Sequence, residues 1–233
     1  MLDFSILTPK VIYEFALRWL HLVTGVAWIG LLYWFNLVNV NFQKNVEADL
    51  KPKVNPILIL PTLWFFRWAA VLTWVTGFLY YGNILAGETI SGMGMPMLTW
   101  IATVGVTYAI IFFLIRPEGP MNNGYTLAAV SGVVILVMAS VIYKVYDRLG
   151  VITNPSYMIG IGGGLGTIMF LNVWGIIWPS QKRVLGVVAL APGEDKAKFA
   201  RRAFLASRMN AWLSIPLLFF MGASSHLNLI HWG

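Results

Sequence analysis

Six apolar runs, each close to the length of a membrane-crossing helix, alternate with short charged or Pro/Gly-rich pieces along this 233-residue chain. A bilayer core about 30 Å thick takes roughly 20 residues of helix, and backbone amides in lipid must find partners inside a helix or a closed barrel. The runs at 15–39, 60–84, 97–115, 125–146, 157–178 and 209–230 therefore predict an all-α, polytopic integral membrane bundle of about six transmembrane helices. The first run is too long for a signal peptide and lacks a basic leader and a small-residue cleavage site, so it is expected to be retained. The connecting pieces, among them KNVEADLKPKVNP, RPEGPMNNG and PSQKRVLGVVALAPGEDKAKFARR, suggest no separate soluble domain, and residues 1–233 read as a single transmembrane domain. Composition agrees, since 58% hydrophobic and 11% charged is far from soluble usage.

Charge sets the expected orientation. With six spans, one side collects Lys44, Lys51, Lys53, Arg67, Arg116, Lys182, Arg183, Lys196, Lys198, Arg201, Arg202 and Arg208, which is 12 of the 16 basic residues. Lys10, Arg18, Lys144 and Arg148 fall on the other. The positive-inside rule then predicts both termini outside, with the periplasm on that side in a bacterial inner (cytoplasmic) membrane. The net charge of +7 is accordingly a topology signal with the lipid bilayer as partner, and no nucleic-acid motif is present. The chain has no cysteine, which excludes covalent c-type haem, iron-sulfur clusters and thiolate nucleophiles. Redox chemistry needs a noncovalent cofactor or a partner.

The stretch RWLHLVTGVAWIG, residues 18–30, places a histidine at the head of a lipid-like run. Helical spacing puts Glu14, Arg18, His21, Gly25 and Trp28 on one stripe. Gly25, one turn deeper than His21, leaves room for a flat ligand. The last run repeats the arrangement in the opposite chain direction, with Gly222 one turn deeper than His226. Two histidines expected at similar depth suggest a bis-imidazole haem b site with His21 and His226 on the iron and Arg18 near the propionates. Another binding or catalytic role, and hydrated structural histidines, stay open beside it. His231, with Trp232, is expected at the interface and is a substitute ligand.

Other polar groups carry milder expectations. Arg67, about seven residues inside the second run, is a candidate substrate-binding cation, or a snorkelling arginine between tryptophans. Lys144, Tyr146 and Asp147 read as a solvated cap, and Asn172 and Asn210 as a hydrogen bond between helices. The segment GIGGGLGTIM, residues 160–169, lacks the flanking strand and the Lys-Ser/Thr of a phosphate loop and reads as small-residue packing faces.

The blocks WLHLVTGVAWIG (19–30), FFRWAAVLTWVTGFLYY (65–81), VYDRLG (145–150), GGLGTIMFLNVWGIIWPSQKRV (163–184) and SRMNAWLSIPLLFFMGASSH (207–226) resemble the urate oxidase N-terminal domain, the membrane domain of bacterial membrane-bound urate hydroxylases. The resemblance runs through nearly the whole chain. It implies a membrane oxidoreductase whose electrons leave through a c-type cytochrome, here expected as a separate subunit because no CxxCH is present. The family pattern also has a histidine where this chain has Gly160 and another where it has Met209, and a lysine where it has Arg67. WLH and GVAWIG are further similar to the first helix of copper-resistance D-type proteins and of membrane protoporphyrinogen oxidases, in which such a histidine ligates haem b. Two functions follow as expectations. One is a urate hydroxylase-type redox protein passing electrons through haem b to an external cytochrome c. The other is a non-enzymatic haem-bearing or structural subunit of a larger respiratory or photosynthetic membrane complex. A transporter fits less well, because the polar groups lie toward the two faces rather than at the midplane.

Overall fold

The computed structural model describes residues 8–89, 92–151 and 153–227, and every described element is helical apart from one isolated bridge between Thr89 and Val151. The chain runs α1 (Pro9–Tyr33), a π-helical segment (Trp34–Asn39), α2 (Val40–Asn45), α3 (Lys51–Glu88), α4 (Gly94–Leu114) and α5 (Gly124–Arg148). It continues with α6 (Asn154–Asn172), a second π-helical segment (Val173–Ile177), α7 (Trp178–Val184) and α8 (Lys196–His226). Taken as continuous helices, these form six stretches long and apolar enough to cross a membrane: Pro9–Asn45, Lys51–Gly87, Gly94–Leu114, Gly124–Arg148, Asn154–Val184 and Lys196–His226.

The helices outrun the apolar runs at several ends, and local caps explain where they start. Thr8 caps α1 through its hydroxyl and Pro9 fills the first turn, where a missing amide costs nothing. Asp195 accepts from the Ala197 amide at 2.8 Å, so α8 begins at Lys196, well before the expected 209. Asn123 and Thr153 cap α5 and α6 in the same way. Hydropathy locates the lipid-crossing part of a helix, whereas hydrogen bonding carries the helix on into polar layers.

Packing is uneven. α1 lies along α3, and α6 sits among α3, α4, α5 and α8. Glycine makes the central position of α6 possible: a Cβ at Gly162 would stand 2.8 Å from Met221 Cε and 3.0 Å from Phe220 Cβ. Such small positions let helices close to van der Waals contact where lipid offers no hydrophobic drive for association. Two further contacts fix registers. Trp74 Nε1 donates to Thr167 Oγ1 at 3.1 Å across α3 and α6, and Asn172 Nδ2 donates to Asn210 Oδ1 at 2.8 Å across α6 and α8. The latter is the interhelical amide pair expected from the sequence.

The charged loops sort to two ends. At one, Glu118 pairs with Lys198, Arg201 donates to Asn122, and Arg183 meets Glu194 at 3.3 Å, which joins the loops after α4 and α7 to the start of α8. At the other, Asn154 Nδ2 donates to the carbonyls of Ala223, Ser224 and Leu227 at the end of α8.

Candidate functional site

His21 occupies the α1–α3 seam. Its Nδ1 lies 2.8 Å from the Thr73 carbonyl and 3.5 Å from the Thr76 hydroxyl. A carbonyl can only accept, so the neutral ring carries its proton on Nδ1, and the Nε2 lone pair is left for a proton, a substrate or a metal. The ring also presses on Gly77, where a Cβ would stand 2.7 Å from His21 Cε1. Glycine at 77 is what admits the imidazole to the seam. One turn away, Arg18 donates to the Glu14 carbonyl and lies 5.4 Å over the Tyr80 ring. Positive charge and an anchored imidazole thus share one side of α1.

The expected stripe is present, but its partner is a helix. Gly25 faces Thr73, whose Cγ2 would lie 3.7 Å from a Cβ there, and Thr73 Oγ1 donates to Thr24 Oγ1 at 3.0 Å. Trp28, two turns below His21, is buried in the core. The space expected for a flat ligand beside Gly25 is therefore taken up by α3.

His226 closes α8, with no hydrogen bond to His21 among the described residues. It is exposed, beside the carbonyls of Ser224 and Leu227 that Asn154 gathers, and Gly222 borders open space. α1 and α8 meet directly further along, where Tyr33 reaches the Ser214 hydroxyl and Asn36 the Ser207 hydroxyl. His231 and Trp232 lie outside the described residues.

Arg67 belongs to neither histidine. It sits on α3 nearly two turns from Thr73 toward the basic loops, its Nε donating to the Leu63 carbonyl at 3.2 Å. Its guanidinium lies 3.5 Å from the Trp178 ring centroid and 5.4 Å from that of Trp174, with no carboxylate among the described residues in ion-pair range. Both tryptophans flank or lie within the second π-helical segment, a form that often marks functional positions.

One polar cluster escaped the sequence reading. Tyr146, expected in a solvated cap with Lys144 and Asp147, is buried and hydrogen-bonded to the Tyr81 hydroxyl at 2.5 Å, and Tyr81 also donates to the Ser156 carbonyl. The signal was available, because Met138, Ile142 and Tyr146 follow at intervals of four and all face the core.

With this geometry in view, comparison with known families is decisive: the model of the urate oxidase N-terminal family matches residues 48–232. The chain belongs to that family. No curated protein and no solved structure matches it. The matched stretch of this urate oxidase N-terminal domain takes in α3 through α8, and α1 with His21 precedes it. One of the two positions at which the family resemblance implies a histidine, Gly160, is closed in this member. A Cβ at Gly160 would stand 2.7 Å from the Tyr81 hydroxyl and 3.2 Å from Tyr146 Cε2, and Trp100 Nε1 donates to the Gly160 carbonyl at 2.7 Å. Met209 is buried with its sulfur 3.9 Å from Asn172 Nδ2. A tyrosine pair fills the space that an imidazole at 160 would need, and a thioether stands in place of the second imidazole.

Proposed function

We propose that this urate oxidase N-terminal domain is the membrane part of a redox system of the urate hydroxylase type, oxidising urate or a similar small molecule and delivering the electrons to a separate cytochrome c. In this reading it sits in the bacterial inner membrane with both termini outside, so that His21 and Arg18 lie toward the side on which a soluble cytochrome would dock. The observation that carries the reading is the anchored imidazole: the Thr73 carbonyl holds the Nδ1 proton and aims an unprotonated Nε2 away from its own hydrogen bond. This arrangement of a fixed tautomer and a free nitrogen is the one that ligating and proton-accepting histidines use.

A haem b would take His21 as a ligand, with His226 as the candidate second imidazole. Bound there, haem supplies a one-electron carrier between substrate and cytochrome. Arg18, one turn along the same stripe, offers charge to a propionate or an anionic substrate. Arg67, held on Trp178, offers a second anion contact toward the opposite end.

The test is a reduced-minus-oxidised visible spectrum of the purified protein, wild type and His21→Ala, together with urate-dependent reduction of cytochrome c. A b-type signal lost in the variant and reduction dependent on urate are expected. A signal untouched by the substitution removes His21 from the site, and a haem-loaded protein that reduces no cytochrome with urate defeats the enzymatic claim.

A second reading has its own support in the closed position at Gly160 and the thioether at Met209. A member with neither imidazole is suited to serve as a non-enzymatic haem-bearing or structural subunit of a larger membrane complex. Co-purification in stoichiometric amount with other membrane subunits, in a preparation without urate activity, is its expected signature.

A further inference from the structure

We infer that the cleft between the end of α4 and the start of α8 is a binding site for the phosphate headgroup of an anionic phospholipid. The cleft encloses about 350 Å³ and is lined by Phe112, Phe113, Arg116, Lys198, Phe199 and Arg202, with Pro117 at its edge. Three cations therefore converge at the end of the bundle where the basic loops gather.

Their own partners leave charge over. Glu118 is spent on Lys198. Arg202 donates Nε to the Ile115 carbonyl at 3.3 Å and lies 4.9 Å over the Phe112 ring, and Arg116 lies 5.7 Å over the Phe113 ring. Neither guanidinium meets a carboxylate among the described residues. Aromatic and backbone contacts hold both side chains in place but use few of the five N–H donors each guanidinium carries. Two oriented, unneutralised forks beside an ammonium match a phosphate oxygen set.

The lipid source follows from the walls. Phe113 is 62% exposed and Phe112 is half-buried, so an apolar surface continues from the cationic cleft down the outside of α4, the path an acyl chain would follow. A soluble phosphate would use the cations and leave that surface unoccupied. Basic clefts between helices at the membrane face are the expected seats of such headgroups.

The experiment is a binding titration of the purified full chain in neutral detergent with dioleoyl-phosphatidylglycerol, read by native mass spectrometry. Dioleoyl-phosphatidylcholine and inorganic phosphate at equal concentrations form the other arms. Phosphatidylglycerol adducts are expected on the wild type, with the apparent Kd weakened about tenfold or more in Arg116→Gln, which removes an exposed charge without touching the core. Lys44→Gln, an exposed cation away from the cleft, is expected to bind like the wild type. Arg202→Lys, keeping charge but losing the fork, is expected to fall between. Equal binding by Arg116→Gln and wild type overturns the site. So does phosphatidylcholine binding as well as phosphatidylglycerol, and inorganic phosphate that competes the lipid away at equal concentration would make the cleft a soluble-anion site instead.

Discussion

The first and fifth spans have the same mean hydropathy, yet 17% of the most apolar window of Pro9–Asn45 is buried against 61% of that of Asn154–Val184. Hydropathy therefore puts both helices in lipid without deciding which one becomes the centre. The difference lies in side-chain size. α6 carries glycine toward α3, α4, α5 and α8, and backbones can close on it from several sides. α1 turns large apolar groups such as Phe15, Trp19, Leu22 and Val26 outward and keeps its main seam for α3. A central helix is made of what it leaves out.

Substitution at matched glycines tests this most severely. Gly160→Leu is expected to destabilise the bundle by about 3 kcal/mol, because the new side chain drives into the Tyr81 hydroxyl and no neighbouring helix can retreat. Gly30→Leu on α1, which borders open space, is expected to change stability by less than about 0.5 kcal/mol. Unfolding in mixed detergent, followed by circular dichroism, gives both values, and equal costs would abolish the contrast between the two spans.

The polar bonds of the two seams come next. Asn210→Leu strands the Asn172 amide, whose Oδ1 already lacks a partner, and an expected loss of about 1–2 kcal/mol should appear in the same assay. Gly77→Ala is expected to cost about 1 kcal/mol, since the imidazole at the edge of α3 can swing aside where a helix in the centre cannot. Its sharper readout is the His21 ring: a b-type spectrum or proton-accepting activity that depends on the Thr73 bond should shift in Gly77→Ala while the helical content stays that of the wild type.

The smallest effect is expected outside both seams, at the exposed pair of Glu118 and Lys198. The ammonium of Lys198 holds the Glu118 carboxyl below the usual carboxylate range through its hydrogen bond and charge. A depressed folded-state value means that the pair stabilises at neutral pH and that the contribution is lost as pH falls through the folded value. Lys198→Ala should move the Glu118 titration back up, measurable by carbonyl NMR, with little change in unfolding at neutral pH. A Glu118 titration unchanged in that variant would show the pair does not form in solution.

How much of this was legible in the sequence depends on whether a single helix or a relation between helices was being read. Six spans followed from length and polarity alone. The stripe through Arg18, His21, Gly25 and Trp28 followed from 3.6-residue periodicity, and so did the faces of GIGGGLG. The partner of the stripe did not, because a glycine flanked by polar groups suits a cofactor or a neighbouring helix equally well, and Thr73 supplies the neighbour. Tyr146 was a different kind of miss, since charged neighbours at Lys144 and Asp147 drew attention from its place four residues beyond Ile142.

The π-helical segment Trp34–Asn39 gives the first span a property that a uniform helix lacks. One residue accommodated without a change of direction slips the angular phase of everything after it by about 100°. Above the slip the span answers to α3 through His21 and Gly25. At and below it, Tyr33 reaches the Ser214 hydroxyl and Asn36 the Ser207 hydroxyl, both at 2.9 Å on α8. A single rod thereby keeps two angular appointments, and a stripe drawn by periodicity from Glu14 loses its meaning at Trp34. The histidine end of α1 can be rotated or displaced by whatever binds there only by twisting against a lower half that is clocked to a different partner.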